Sequence, residues 1–391
     1  MPSPSLGHGR RLTTRVGMLV GIGLVAAPLA GPLGAQPGRV SQHNLVSNVP
    51  GLAAVLDPQL VNPWGISFGP TTPFWISDAG TGVSTLYNGA GAKQGLVVTI
   101  PGPGGPVPGV PTGQVFNSTG AFALGSGGNA RFLFASATGT ISGWNGGTTA
   151  QTMVNPGGGA AYTGLAIAGS GSSARLYAAN FGNDRIDVWD GTFATVSGGF
   201  VDPNLPAGYS PFNVQTIGTS VYVMYAPKDP ITGEEIEGVG NGIVDVYDTG
   251  GTLVRRLVTG GDLNDPWGIT LAPAGFGGIG GFGGSLLVGN FGDGTIHAYD
   301  PMTGALRGEL LDGHGNALVN EGLWALTFGN GGPGFDRNAL YFTAGIDDEE
   351  NGLFGRISAV PEPGSLTLVL TGLGALAVAA RRRTRRSGPT D

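Results

Sequence analysis

The chain contains no cysteine, which removes thiol nucleophiles, thiolate zinc sites, iron–sulfur clusters and disulfides in one step. Lysine is almost as scarce, with Lys93 and Lys228 the only two, and five of the 17 arginines fall in the last eleven residues. A basic face for nucleic acid is thereby excluded. Histidine is limited to His8, His43, His297 and His314, whose spacing does not suggest a three-histidine metal site. Charged residues make up 12% of the chain, about half the usual share of roughly 25%. Glycine (76) and proline (28) are abundant among the 391 residues, yet the hydrophobic fraction of 40% argues against disorder. Little charge, many turn residues and ample apolar character point to many short strands, not helices.

Both ends read as targeting segments. Arg10, Arg11 and Arg15 precede an uncharged run from Val16 to Ala27, and Pro28, Pro32 and Ala35 follow. This order is that of a secretory signal peptide over residues 1–35, cleaved near Ala35. At the other end, residues 361–391 open with Pro361, Glu362 and Pro363 and continue through an uncharged apolar run to Ala380. Arg381, Arg382, Arg383, Arg385 and Arg386 complete the tail. From Pro363 to Ala380 there are 18 residues, about 27 Å as a helix and just enough to span a bilayer. The arginines would remain cytoplasmic, placing everything before them outside.

This tripartite tail resembles the PEP-CTERM sorting signal of Gram-negative bacteria, in which Pro361-Glu362-Pro363 is the naming motif. The resemblance implies recognition by a membrane exosortase and removal of the tail. It also implies export through the inner membrane, a transient membrane anchor, and delivery to the cell surface or exopolysaccharide matrix.

Residues 36–360 form a repeat. Strand-like segments such as Phe74 to Asp78, Leu176 to Asn180 and Leu286 to Asn290 are each followed by a second strand. That second strand ends in an aromatic residue and then Asp or Asn: Tyr87-Asn88, Trp144-Asn145, Trp189-Asp190, Tyr247-Asp248 and Tyr299-Asp300, with Ile357-Ser358 a weaker sixth. The six positions recur at intervals averaging 54 residues, the length of a four-stranded propeller blade. An inner strand precedes each pair, with Trp64-Gly65-Ile66-Ser67-Phe68 in unit one matching Trp267-Gly268-Ile269-Thr270-Leu271 in unit five. The sixth unit runs out at Val360 without an outer strand, and the segment from Val40 to Val46 is expected to supply it. The expected fold is all-β: a six-bladed propeller of four-stranded blades with an N-terminal strand closing the last blade, plus a C-terminal transmembrane helix. The run from Ala179 to Trp189 resembles an NHL-type repeat. The whole body resembles a set of bacterial propellers with PEP-CTERM tails, a likeness that implies a fold and no reaction.

Two motifs dissolve on inspection. Gly65 to Gly69 satisfies G-x-S-x-G, but the counterpart of Ser67 is Thr270, so Ser67 is a repeat position within a strand. The glycine-rich run from Gly278 to Gly283 fits a dinucleotide fingerprint with no βαβ unit around it. More informative is propeller geometry, which opens the loop after each second strand and the loop into each first strand on one face. Asp78, Asn180, Asn290 and Asp347 belong to the first kind of loop, and Asn62, Asp265 and Glu321 to the second. All but Asp347 are the ligand-binding candidates on the axial face. Against this stands the ordinary role of Asn and Asp in capping turns. Asp347, Glu349 and Asn351 have the oxygen spacing that opens a calcium loop, but Ser358 occupies the position where a bidentate Glu is required.

No catalytic residue follows from these patterns. The leading expectation is a non-catalytic binding protein at the cell surface or in the exopolysaccharide matrix, with exosortase as its membrane partner. Exopolysaccharide or another surface protein is the candidate ligand. The alternative is a metal-dependent hydrolase of the lactonase kind, because gluconolactonase-like propellers place a catalytic divalent ion at this mouth. Ca²⁺ is the cofactor such oxygen donors would take. A purely structural matrix protein is a third reading. The tail carries its own prediction: replacing Pro361-Glu362-Pro363 by alanines should leave a full-length, membrane-bound form. Mass spectrometry of surface material should find the unaltered protein ending near residue 361, and an intact Arg381–Arg386 end would refute this.

Overall fold

Six sheets follow one another around an axis, five built from consecutive strands and the sixth from strands at both ends of the described chain. The computed structural model describes residues 38–105, 107–277 and 281–360; the predicted signal peptide and sorting tail lie outside them. Among the described residues no helix is long and apolar enough to cross a membrane. Blade I runs outward from Pro63–Ser67 through Phe74–Asp78 and Val83–Tyr87 to Lys93–Thr99. Blades II, IV and V repeat this order from the inner strands Pro111–Phe116, Tyr209–Ile217 and Pro266–Leu271. Blade III has three strands, Tyr162–Ala168, Arg175–Asn180 and Arg185–Asp190, and only an isolated bridge from Trp189 to Thr195 begins a fourth. Blade VI comprises Leu323–Phe328, Leu340–Ala344 and Leu353–Ala359.

The signature of an aromatic residue followed by Asp or Asn has a local cause. In blade I the Asn88 carboxamide oxygen accepts the backbone N–H groups of Ala90 and Ala92, both at 2.9 Å. Asp190, Asp248 and Asp300 each accept two or more backbone N–H groups of the turn that follows them. Each side chain thereby stands in for a backbone turn and sends the chain into the next segment. The aromatic residue just before it packs between blades, where Tyr87, Trp189, Tyr247 and Tyr299 are all buried.

The inner strands share another device. Each of the six has a register shift near its start, for example between Pro63 and Ile66 and between Pro266 and Gly268. Such bulges bend a strand and allow a close approach. At Gly65 the approach is closest to blade II, where a Cβ would lie 2.6 Å from the Thr112 carbonyl oxygen. Side-chain amides then tie blade to blade: Gln114 Nε2 donates to the carbonyls of Gly65 and Trp75, each at 2.7 Å, and Asn213 Nδ2 donates to that of Trp267 at 2.7 Å.

The ring is closed by the N-terminal strand. Val40–Ser47 pairs antiparallel with Leu353–Ala359, from Val40 opposite Ala359 to Ser47 opposite Leu353. Val55–Leu56 adds a short parallel pairing to its far end. Ser47 Oγ donates to the Gly352 carbonyl at 2.7 Å, and Asn48 Nδ2 donates to Asn351 Oδ1 at 2.7 Å. Beyond the clasp, Asp57 joins blade I through Lys93 Nζ at 2.7 Å and the Tyr87 hydroxyl at 2.6 Å. The first and last parts of the propeller are thus one sheet. Deleting residues 36–48 should expose an unpaired edge, and the expected outcome is aggregation or a broad, non-cooperative melt in calorimetry. A truncated chain that melts as sharply as the intact one would refute the clasp.

Candidate functional site

The axis is filled by aromatic rings. Trp64 of blade I stacks on Trp324 of blade VI with centroids 3.5 Å apart, and Phe291 of blade V stacks on the same indole at 4.2 Å. Trp267 meets Trp324 edge-on at 5.6 Å, and Phe212 lies 5.9 Å from it. Trp324 is fully buried. Its indole N–H donates to Asn62 Oδ1 at 3.0 Å, and the Trp267 N–H crosses to the Thr163 carbonyl at 3.2 Å. Trp64, Trp267, Trp324 and Phe212 lie on inner strands, the first two beside a glycine, whereas Phe291 follows the second strand of blade V.

At one mouth of the ring a cavity of about 770 Å³ opens beside Trp64 and Phe291. Its remaining wall is acidic. Glu234, Glu235 and Glu237 come from the loop between Ser220–Pro227 and Ile243–Asp248 of blade IV. Asp293 follows the second strand of blade V, Glu321 precedes the first strand of blade VI, and Asp348 and Glu349 follow its second strand. Seven carboxylates line the cavity and no Lys, Arg or His does. Lys228 is committed elsewhere, paired with Asp184 and donating to the Phe181 carbonyl at 2.9 Å.

Local geometry explains how the acids are held. The blade IV loop is pinned by Asp229, whose Oδ1 accepts from the N–H groups of Ile231 and Thr232, and by Asn241 Nδ2, which donates to the Ile236 carbonyl at 2.7 Å. In blade VI, Asp347, Asp348 and Glu349 all adopt positive φ, at 55°, 51° and 65°. A left-handed run of three non-glycine residues costs about 1–2 kcal/mol at each. Neighbouring groups hold it in place: Asn62 Nδ2 donates to Glu349 Oε2 at 2.6 Å, Asn351 Nδ2 to Asp347 Oδ2 at 2.9 Å, and the Asp348 N–H to Glu321 Oε1 at 3.1 Å.

Crowding of like charge with partial burial raises proton affinities. Burial, with the charges of Glu349, Glu234 and Glu237 added, pushes Glu235 up to about 7. Burial likewise raises Glu237 and Glu349. Asp265 is the extreme case. It is fully buried, neither carboxylate oxygen has a hydrogen-bond partner, and burial beside Glu235, Glu237 and Asp293 pushes it up to about 8.

The six expected axial residues divide. Glu321 lines the cavity; Asn62 lies beneath it, joining Glu349 to Trp324; Asp265 is buried next to the acidic loop. Asn180 is a turn cap, its oxygen accepting from the Ala161 and Asn183 N–H groups at 3.2 Å each. Asp78 is buried within blade I and accepts from the Thr85 hydroxyl at 2.7 Å, with burial raising its carboxyl well above the usual range. Asn290 donates to the Asp262 carbonyl at 2.8 Å and leaves its own oxygen unpartnered. Asp347, Glu349 and Asn351 spend their oxygens on three different amides, those of Asn351, Asn62 and Asn48. Among the described residues no group of three or more His, Asp or Glu side chains is placed to hold a metal ion. Glu234, Glu235, Glu237, Asp293 and Asp348 were not expected from the sequence; the one signal was an acidic run in a loop after a second strand.

Fold and site together define a closed six-bladed propeller with an acidic, aromatic-floored axial cavity. Residues 359–383 match the PEP-CTERM protein-sorting motif. Uncharacterized protein R648 of Acanthamoeba polyphaga mimivirus is 35% identical, with 84% of this chain and 83% of that protein covered. Uncharacterized protein L690 of the same virus is 34% identical, with 80% and 84% covered. The chain belongs to the family these proteins represent. Among solved structures, a streptogramin B lyase aligns with a TM-score of 0.48 at 12% identity, covering 82% of this chain and 97% of that one. A gluconolactonase from Xanthomonas campestris aligns at 0.46 and 13%, covering 83% and 91%.

The raised carboxyls fix a pH dependence. The folded chain keeps protons on Asp265 and Glu235 up to about pH 8 and 7, whereas the unfolded chain releases them near 4. The folded state therefore binds more protons within that window, and these groups make stability fall as pH rises through it. Asp265→Asn, which removes the titrating carboxyl, should stabilise the protein at pH 8 relative to pH 5 and flatten the slope between those values. Denaturant titrations at several pH values measure both, and an unchanged slope would refute the assignment.

Proposed function

We propose that this chain is an exported propeller, sorted by exosortase through its PEP-CTERM tail to the cell surface or exopolysaccharide matrix, where it serves as a non-catalytic binding protein. The observation that carries the binding role is the ligand-sized cavity at the axial mouth, above an axis filled by aromatic rings. The sorting motif at residues 359–383 supports the destination.

The lining argues for binding over turnover. It offers Glu, Asp, Trp, Phe, Val and Gly, with no hydroxyl, thiol or imidazole nucleophile. Lactone hydrolysis develops negative charge on oxygen, which needs donors or a cation to stabilise it. Seven carboxylates do the reverse. A divalent ion would invert that electrostatics, but the described acidic side chains are not grouped to hold one.

The test is direct. The purified chain, assayed on a panel of lactones with and without millimolar Ca²⁺, is expected to show no hydrolysis above buffer and no Ca²⁺-dependent rise in melting temperature. Ca²⁺-dependent turnover abolished by Glu321→Gln would replace the binding role with the hydrolase. Surface labelling of intact cells should mark the propeller, and labelling only after lysis would refute the destination.

A further inference from the structure

We infer that the face of the propeller opposite the acidic mouth is a membrane-facing surface: while the chain is anchored, the blade V and VI turns on that side lie against a lipid bilayer and the mouth points away from it. This rests on the sorting role just proposed and adds the orientation in which the anchored chain stands.

The first argument is the length of the tether. Ala359 is the last paired residue, opposite Val40, and only Val360 follows it among the described residues. The PEP-CTERM match begins at residue 359 itself, so the sorting segment joins the sheet with no linker. Pro363, where the sequence reads a membrane-spanning run to begin, is four positions beyond Ala359. Fully extended chain covers at most about 14 Å over that interval. The tether cannot be lengthened by drawing on the strand before it, because Val40–Ser47 pairs with Leu353–Ala359 along its whole length.

The second argument is topology. Asp348 and Glu349 line the mouth and shortly precede Leu353–Ala359, so this strand starts at the mouth and ends on the opposite face. Its seven residues rise about 20 Å. Leu340 pairs with Ile357, which places the connection from Phe328 to Leu340 beside the exit of the chain. In blade V the turn after the matching strand, Ile296–Tyr299, carries Met302 on the same side. These turns are the parts of the body that so short a tether holds closest to lipid.

The third argument is charge. Seven carboxylates gather at the mouth with no basic side chain among them. On the opposite face, the connections between first and second strands and the turns after third strands carry Asp190, Asp248, Asp300 and Asp336, together with Arg131 and Arg337. All four of these carboxylates accept backbone N–H groups of their own turns. A bilayer containing anionic lipid repels the mouth far more than this face, so charge and tether favour the same orientation. Exposed apolar side chains lie on both faces, Met302 and Leu306 on this one and Ile231 and Val239 on the other, and do not choose between them.

The absence of cysteine makes the test clean, since each introduced thiol is unique. Met302→Cys and Asn338→Cys place a label on the membrane-facing side, and Glu234→Cys and Val239→Cys place one at the mouth, all at exposed positions. Each full-length variant is reconstituted into vesicles of phosphatidylcholine and phosphatidylglycerol and labelled with a bimane. Quenching by a nitroxide on the lipid headgroup is then measured. The expected result is quenching several-fold greater for the Met302 and Asn338 variants than for the Glu234 and Val239 variants. Equal quenching on the two faces, or stronger quenching at the mouth, would overturn the orientation. A flexible insert of about twenty Gly and Ser residues after Val360 should bring the first pair down toward the second, and no change would overturn the tether argument. Failure of the full chain to float with the vesicles would overturn the anchor on which the inference rests, an outcome distinct from flotation with the wrong face quenched.

Discussion

The close approach of six inner strands around one axis is the constraint from which the rest of the molecule follows. Glycines at the strand bulges, Gly65, Gly113 and Gly268 among them, let one backbone pass against the next, and the amides of Gln114 and Asn213 then bridge blade to blade. At that spacing the large side chains near the start of the inner strands fill the axis. Trp64, Trp267 and Trp324 fill it together with Phe212 and Phe291. An interior of stacked rings tolerates few polar groups; the Trp324 N–H is paired with Asn62 and the Trp267 N–H with the Thr163 carbonyl, while that of Trp64 has no partner.

Polar chemistry is therefore displaced to the mouth, where the propeller's connecting loops gather. Loops on a rigid scaffold are where binding residues ordinarily lie. Here they bring a concentration of negative charge that the ring itself does not neutralise. The cost shows in the raised carboxyls of Glu235 and Asp265 and in the left-handed run from Asp347 to Glu349. Strain and like-charge crowding both oppose folding, and both occur within one patch. A ligand that supplies positive charge would relieve the electrostatic part of that cost.

Much of the architecture was legible because its causes are local. An Asp or Asn that bonds the N–H groups two and four positions on needs no distant partner, so the hairpin after each buried aromatic residue can be read from the chain alone. Asp190 and Asp248 are clear instances. The clasp was legible for a different reason. A sixth blade lacking an outer strand and an unassigned strand at the start of the body have one mutual solution, and Val40–Ser47 adopts it. The absence of a fourth full strand in blade III left no comparable mark, because the segment after Asp190 still begins with the usual turn.

The site divides along the same line. Sequence alone determined the blade count, the ring closure and the face on which the loops open. Which oxygens remain free on that face was decided only by tertiary structure. Asn180 and Asp78 look equivalent to Asn290 in the repeat, yet the first is spent on the Ala161 and Asn183 N–H groups and on Asp187, and the second is tied to Thr85. Glu234, Glu235 and Glu237 read as an ordinary solvated run within a loop. They acquire meaning because closing the ring carries that loop over the axis, toward Asp293, Glu321 and Glu349 from other blades. Turn chemistry is settled within a few residues, but a shared cavity depends on contacts between segments more than a hundred residues apart, made once the last blade meets the first.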